Sequence, residues 1–379
     1  MSIQLESNLS QYWYSIQGNL LPWLEEELGP LGQEHRKLVL TLEMARVEDF
    51  VQGYRGVSAG RPAVCRAGIA RAYVAKASLN LSTTRQLIDR LKVDKVLRRI
   101  CGFERLKDIP EEWTFSKAFK EFAGRRIVEY VHEAMILKYQ SKRIVGHLSR
   151  DSTAIEAREK CVVKKDKKPK QTAPKMPRGR PKKGEVRPKK EPLEEKRIER
   201  QLKMNSVAEM IADLPKACDV GTKTDSKGYK ITWRGYKLHI DTADGDIPIS
   251  CILTSASMHD SQAAIPLAEM SNKRVTNFYD LMDSAYDSGL IRLHSDSLGH
   301  VPLIDFNHRS PKDTRAFDPH EAARYKERSS AERVNSRLKD SFGGRFVRVK
   351  GYAKVMCHLM FGIICLTAEQ LVGCIPQFA

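Results

Sequence analysis

Four side chains in the C-terminal part of the chain have types and spacing that suit the chemistry of phosphate groups. They are Tyr325, Arg328, Glu332 and Lys339, which follow one another at intervals of three, four and seven residues. On an α-helix that advances about 100° per residue, they fall within an arc of about 60°. Such a face can bind a divalent metal ion through Glu332 while Arg328 and Lys339 contact phosphates. A surface helix also carries Arg and Glu for solvation and i,i+4 pairing, so the spacing alone leaves both interpretations open.

Two aspartates upstream follow segments that read as strands. Asp151 comes just after the β-branched segment 144–148, which predicts a first strand, and Asp283 follows segment 278–282, which predicts a fourth. Taken singly, Asp151 can be a turn residue at a strand end and Asp283 can be a helix N-cap. The run HDSQ further suggests an acid-base pair, but Asp260 within it is better explained as a cap of the helix that follows.

The run from Tyr325 to Lys339 resembles the Y-x2-R-x3-E-x6-K motif of the DDE transposases of bacterial insertion sequences. This resemblance implies that Glu332 is the third metal-binding carboxylate of the family, and that Asp151 and Asp283, which occur in the family's order, are the first two. It also implies an α/β fold with an RNase H-like mixed-sheet catalytic core, in which the three carboxylates converge. Such hard oxygen ligands suit Mg²⁺ or Mn²⁺, with two ions in each active site.

The charge of the chain favours a nucleic-acid partner. The 379 residues carry a formal net charge of +18, and between Lys160 and Lys203 there are 18 Lys and Arg residues against 6 Asp and Glu. A segment of this composition is disordered in isolation and commonly binds polyanions, although a solubilising linker has the same composition. We therefore expect double-stranded DNA as the partner, contacted also by Tyr325, Arg328 and Lys339.

A short motif inside the basic segment resembles the AT-hook, whose flat R-G-R-P core binds the minor groove of A·T-rich DNA. Glycine lets the backbone approach the groove floor, and the narrow groove concentrates the negative potential that attracts arginine. Non-specific phosphate contact is the alternative. The DNA-binding residues of this motif are predicted to be Arg178, Gly179, Arg180, Pro181, Lys182 and Lys183.

Cysteine usage and hydropathy indicate a reducing compartment and no membrane. The eight cysteines show neither a C-x-x-C pair nor paired histidine spacing, so neither a disulfide framework nor a structural zinc site is indicated. No signal-peptide pattern occurs at the N-terminus, and the most apolar segment, 355–372, contains His358 and Glu369 and reads as a core helix packing beneath the Glu332 helix. We expect a cytoplasmic, nucleoid-associated bacterial protein.

The N-terminal third of the chain has helical patterns. Thr83 begins a capping box, and Phe115, Phe119 and Phe122 form one apolar face after a second helix start. The region resembles the helical N-terminal domain of the same transposases, which implies that it binds the transposon ends. A helical bundle that serves only dimerisation is the alternative.

The rest of the chain is predicted to alternate strands and helices in the element order of the RNase H-like fold. Strands are expected at 144–148, 229–240, 247–257, 278–282 and 300–306, with a turn at Asp244-Gly245 and a helix at 261–270. Four units follow: a helical DNA-end-binding or dimerisation domain at 1–138, the first part of the catalytic core at 139–159, a basic, flexible insertion at 160–215, and the remaining core with C-terminal helices at 216–379.

The resemblance implies a DNA transposase that binds the terminal inverted repeats of an insertion sequence, cleaves the ends to give 3′-hydroxyls and joins them to target DNA. A homodimer or a larger assembly on DNA is expected. Asp283 and Glu332 are 49 positions apart, which leaves no room for the large all-β insertion of some relatives. Two alternatives stay open: a non-catalytic DNA-binding protein derived from a transposase, and an RNase H-like nuclease without strand transfer.

Overall fold

The structure, a computed structural model, describes residues 16–51, 65–141, 143–161, 195–224, 228–308 and 315–373. A helical region comes first, and a six-stranded mixed sheet with flanking helices follows. The helices of the first region are α1 (Leu21–Leu28), α2 (Gln33–Ala45), α3 (Arg66–Ser78), α4 (Thr84–Val93), α5 (Lys95–Ile100), α6 (Glu112–Gly124) and α7 (Ile127–Tyr139).

Local sequence signals explain where these helices begin and which faces they bury. The predicted capping box is confirmed, since the Gln86 backbone N–H donates to Thr83 Oγ1 at 3.1 Å and the Thr83 N–H donates to Gln86 Oε1 at 3.2 Å. The predicted aromatic face of α6 is also confirmed, because Phe115, Phe119 and Phe122 are all buried.

The sheet is built around its first strand. Strand β1 pairs antiparallel with β3 and parallel with β5, β3 pairs antiparallel with both β2 and β4, and β5 pairs parallel with β6. The order of elements is the one predicted, with β2 as an additional short, mostly exposed strand. The strands are β1 (Ile144–Glu156), β2 (Asp219–Thr224), β3 (Lys230–Ala243), β4 (Ile247–Ser255), β5 (Thr276–Met282) and β6 (Val301–Ile304).

The prediction that β1 ends before Asp151 was wrong. The strand continues to Glu156, and Asp151 lies in its middle, paired with Ile240 of β3. The polar run Ser149 to Ser152 looks like a strand end in the sequence. The ladder with β3 nevertheless continues, because Ile155 lies beyond that run and is fully buried.

The later helices cover the two faces of the sheet. They are α8 (Arg197–Leu202), α9 (Val207–Ala212), α10 (Ala264–Asn272), α11 (Gly289–Ser297), α12 (Pro319–Tyr325), α13 (Ser329–Ser341) and α14 (Tyr352–Gly373). Helices α8 and α9 fall inside the stretch for which the sequence predicted only a flexible insertion. They are held in place because Arg197 and Arg200 both bind Asp213 at 2.9 Å, and Gln201 donates to the Gln262 carbonyl at 3.1 Å.

The sequence indicated one continuous α-helix from Tyr325 to Lys339. In the structure this segment is interrupted. Residues Lys326–Arg328 form a 3₁₀ turn between α12 and α13. A 3₁₀ turn advances about 120° per residue instead of 100°, so over three residues Tyr325 and Arg328 stay on the same side of the segment, one turn apart. The turn therefore does not break the common face predicted for these side chains, and Arg328 and Glu332 contact each other across one turn.

Helix α14 is the shared core of the helical region and the sheet, and it packs against α13 as predicted. It contacts α2, α3, α6, α7 and β4. Among the described residues it is the one helix whose length and composition would suffice to cross a membrane, but 78% of its most apolar window is buried inside the protein. That burial explains its apolar composition without a membrane.

Gly362 allows α14 to approach α13 closely. A Cβ atom at this position would lie 2.5 Å from the Phe342 carbonyl oxygen and 2.9 Å from Leu338 Cδ1. We expect Gly362→Ala to lower the free energy of unfolding by about 1–3 kcal/mol, measured by urea denaturation. The matched control is Gly124→Ala at an exposed helix position with open space around it, which should be neutral or stabilising by about 0.5–1 kcal/mol. Equal effects of the two substitutions would contradict the close approach.

Candidate active site

The parallel pairing of β1 with β5 brings the two predicted aspartates to neighbouring positions. The last paired residues of this ladder are Arg150 and Met282. Asp151 directly follows Arg150, and Asp283 directly follows Met282. Neighbouring strands lie about 4.8 Å apart, so the two carboxylates project from adjacent backbones. Residues that are 132 positions apart in the sequence therefore lie next to each other where the β1–β5 ladder ends. We call this place, with Asp151 and Asp283, the carboxylate corner.

Both carboxylates lie in surroundings that disfavour their charge. Burial raises the pKa of Asp151 to about 6, and the charge of Asp283 adds to the rise, while the nearby Arg328 opposes it. Burial also raises the pKa of Asp283, against the hydrogen bond that its side chain accepts from the Ala285 N–H at 3.0 Å. That bond makes Asp283 an N-cap as well, so the two interpretations of this residue are compatible. A cation between the aspartates would relieve their unfavourable charge.

Helix α13 covers the face of β1 from which Asp151 projects. Asn335 Nδ2 donates to Asp151 Oδ2 at 2.9 Å, and Ser149 Oγ donates to the Glu327 carbonyl at 3.2 Å. Sequence reasoning missed Asn335. Its position three residues after Glu332, on the same side of the helix, was the available signal.

Glu332 lies on this covering helix but does not reach the aspartates in the described arrangement. Its side chain is 58% exposed and binds Arg328, with 2.6 Å between Glu332 Oε1 and Arg328 Nη2. Arg328 is half-buried, and its charge acts on Asp151 and Asp283 as well. Within the described ranges, no group of three or more His, Cys, Asp or Glu side chains is close enough to hold a metal ion.

The other two residues of the C-terminal motif lie on either side of Glu332. The Tyr325 hydroxyl donates to the carbonyl of Met282, the residue before Asp283, at 3.2 Å, and its ring packs on Phe317 at 4.8 Å between ring centres. Lys339 is half-buried, and its pKa is lowered by burial and by the neighbouring cations Arg345 and Lys223. Tyr325 thus fixes the end of β5, while Lys339 belongs to a separate cationic group.

A buried ion pair supports the opposite face of β1. Arg150 Nε lies 2.7 Å from Asp241 Oδ1 and Arg150 Nη2 lies 2.8 Å from Asp241 Oδ2, with both residues almost inaccessible to water. Ser271 of α10 donates to the same carboxylate at 2.6 Å. Because Arg150 precedes Asp151 in the strand, this bidentate pair fixes the backbone that presents the first aspartate.

Asp260 does not cap a helix, so that interpretation was wrong. The 3₁₀ turn Asp260–Ala263 has His259 at its N-cap position, and the Asp260 carboxylate instead lies 2.8 Å from Lys237 Nζ. Burial would raise the pKa of Asp260, but His239 and Lys237 hold it below its ordinary value. Its charge raises the pKa of both Asp151 and Asp283, which makes it a fourth acid beside the pair.

The mixed sheet, with flanking helices and a helical region before it, is an α/β core that agrees with two family matches. Residues 214–368 match the transposase DDE domain, and residues 25–121 match a transposase domain (DUF772). The chain belongs to the DDE-type transposases of insertion sequences, and its catalytic core is RNase H-like.

The DDE-domain match includes Asp283 and Glu332 but begins downstream of Asp151. The AT-hook-like residues 178–183 lie outside the residues that the structure describes. No curated protein and no solved structure matches the chain.

Proposed function

We propose that the chain is a catalytically competent transposase that binds the terminal inverted repeats of its element, cleaves the ends to give 3′-hydroxyls and joins them to target DNA. The family acts on DNA with divalent metal ions. The observation that carries the proposal is the adjacency of Asp151 and Asp283 under the helix that bears Glu332. We further propose a homodimer or larger assembly on DNA, in the cytoplasm and associated with the nucleoid.

The residues of this corner fit a divalent metal. Two partly buried carboxylates with raised pKa values offer hard oxygen ligands and unneutralised charge. In the proposal, Asp151 and Asp283 hold Mg²⁺ or Mn²⁺, and Glu332 completes the set after it separates from Arg328. When bound, two such ions would activate the attacking oxygen and stabilise the leaving oxygen. Asn335 orients the Asp151 carboxylate through its hydrogen bond.

The cations of the C-terminal motif have a complementary role in this proposal. Arg328, once released from Glu332, is free to bind a phosphate beside the scissile bond, and its fork of donors suits a phosphate better than an ammonium group would. Lys339 lies about two helical turns beyond Glu332 and would contact a neighbouring phosphate. Tyr325 supports this face from its bond to the Met282 carbonyl.

A strand-transfer assay tests the proposal. The full chain would be incubated with Mg²⁺, a duplex that carries the inverted repeats flanking its gene, and a supercoiled target plasmid. Joined products with new 3′ linkages support a transposase. Cleavage without joining would identify a nuclease, and specific binding of the repeats without cleavage would identify a non-catalytic DNA-binding protein.

The basic segment offers a separate test of DNA binding. Residues 162–194 contain 13 Lys and Arg against 4 Asp and Glu. Replacing them with a neutral Gly/Ser linker of equal length keeps α8 and α9 in place. We expect unchanged thermal stability but weaker binding to duplex DNA with a smaller salt dependence, measured by fluorescence anisotropy across a salt titration.

Within that segment, Arg178→Ala with Arg180→Ala should weaken binding to A·T-rich duplexes about tenfold more than binding to G·C-rich duplexes. The control is Lys164→Ala with Lys165→Ala, which removes the same charge without the motif. Equal losses on both kinds of DNA from the arginine pair would show that the segment is a cationic tether without an AT-hook.

A further inference from the structure

A cavity separate from the carboxylate corner lies where the helical region meets the end of α13 and the start of α14. Its volume is about 150 Å³. Phe342, which lines it, is ten residues beyond Glu332, or about 15 Å along a helix axis. The polar side chains that line the cavity are Lys76, Lys350, Lys354, Thr84, Ser116, Tyr73 and His358.

Lys76 is the unusual member of this cavity. It is only 8% exposed, and no carboxylate among the residues that the structure describes pairs with it. Buried lysines are rare in proteins unless they are paired. Burial lowers the pKa of Lys76 to about 8, so most of these side chains still carry a proton at pH 7. The structure thus holds a desolvated positive charge at the cavity wall.

The remaining charged and titratable groups around the cavity do not neutralise this charge. Lys350 and Lys354 bring two more ammonium groups, and no Asp or Glu lines the cavity. His358 Nε2 donates to the Gly343 carbonyl at 3.0 Å. Burial, together with the charge of Lys76, lowers the pKa of His358 to about 4, so it is neutral at pH 7. Lys76, Lys350 and Lys354 thus place three cations around one small space whose lining contains no acidic side chain.

The shape and the apolar wall favour one class of anion. The volume equals that of about five water molecules, which suits a phosphate group with its nearest waters. Phe119 and Phe361 also line the cavity, and their low polarity strengthens the attraction between the lysines and an anion. Several phosphate oxygens can accept hydrogen bonds from separate ammonium groups at once.

We propose that this cavity is a phosphate-binding site in which Lys76, Lys350 and Lys354 hold a phosphate group. The phosphate comes either from the backbone of bound DNA or from free inorganic phosphate. Because α3 and α6 form one wall and α14 with its preceding loop forms the other, a bound phosphate links the helical region to the elements that carry Glu332. The proposal does not depend on cleavage, so it is tested without a metal ion.

The test measures the melting temperature of the full chain in phosphate and in chloride at matched ionic strength. We expect phosphate to raise the melting temperature of the wild type by about 2–4 °C and to have little effect on Lys76→Met. Methionine fills the buried position without charge. The control is Lys120→Met, at an exposed position of α6, which should keep the full phosphate response. Equal phosphate responses in all three proteins would overturn the proposal.

A second variant, Lys350→Gln with Lys354→Gln at the cavity rim, decides the question if Lys76→Met does not fold. It should lose most of the phosphate response, and an unchanged response would overturn the proposal. Binding of duplex DNA across a salt titration then identifies the source. A salt slope lower by about one unit in Lys76→Met indicates a DNA phosphate, and an unchanged slope with a lost phosphate response indicates free phosphate. Both of these outcomes support the site.

Discussion

Asp151→Asn, Asp283→Asn and Glu332→Gln are each expected to lower metal-dependent cleavage of element-end DNA by about 10³-fold or more. Each substitution removes a proposed metal ligand, and a loss of this size corresponds to about 4 kcal/mol of transition-state stabilisation. Affinity for the same DNA should stay similar or increase, because a negative charge near phosphate is lost. Cleavage is measured on labelled duplexes under single-turnover conditions.

The control for this series is Asp296→Asn, at an exposed aspartate on α11 that is not one of the proposed metal ligands. It should cleave within about twofold of the wild type. Cleavage within tenfold of the wild type by any of the three test variants would remove that residue from the proposed metal-binding set.

The aspartate variants should also differ from Glu332→Gln in stability without metal. The folded pKa of Asp151 is about 6, above its ordinary value of 3.8, so its ionised form costs stability at pH 7. That cost decreases as the pH falls from about 6 to 3.8, because the folded protein takes up the proton first, and it is gone below 3.8. Asp151→Asn should therefore stabilise the metal-free protein at pH 7 by about 1–2 kcal/mol. Exposed Glu332 should show no such gain.

The second large effect is expected from Arg150→Met. It would leave Asp241, which is inaccessible to water, as an unpaired buried charge beside the strand that carries Asp151. Removing one partner of a buried pair typically costs about 3–5 kcal/mol. Urea denaturation should show a loss in this range, and cleavage should fall because the backbone at Asp151 loses its support.

The double variant Arg150→Met with Asp241→Leu separates charge from packing. It removes both charges, so it should recover at least half of the stability lost in the single variant. A single variant within about 1 kcal/mol of the wild type would show that the pair contributes little to holding β1.

Much of the site could be predicted, because it depends on residue types and spacings within short segments of the sequence. The β-branched and aromatic content of β3 to β5 identified these strands, and Asp283 was expected at the end of β5, where it lies. The spacing of Arg328 and Glu332 is a local helical property, and their contact survives the change in helix type. The family matches support the same reading of the C-terminal half.

Other features depend on pairings that no local pattern contains. The partner of Arg150 is Asp241, 91 residues away, and their contact follows from the register of β1 on β3. The same register continues β1 past Asp151, which the polar run in the sequence concealed. Asp260 looked like a helix cap because its real partner, Lys237, comes from a neighbouring strand. The 3₁₀ turn after Tyr325 also depends on a tertiary contact, because the Tyr325 hydroxyl donates a hydrogen bond to the Met282 carbonyl.

The central position of α14 has a consequence for how the protein is made. Helices α2, α3, α6 and α7 leave the ribosome long before α14, which begins 213 residues after α7 ends. At bacterial translation speeds this interval lasts roughly 10 to 40 s, and during it the apolar faces that α14 will cover are open to water and to chaperones. Helix α13, which covers β1 at Asp151, also packs against α14. The carboxylate corner can therefore be completed only after translation has passed Gly373.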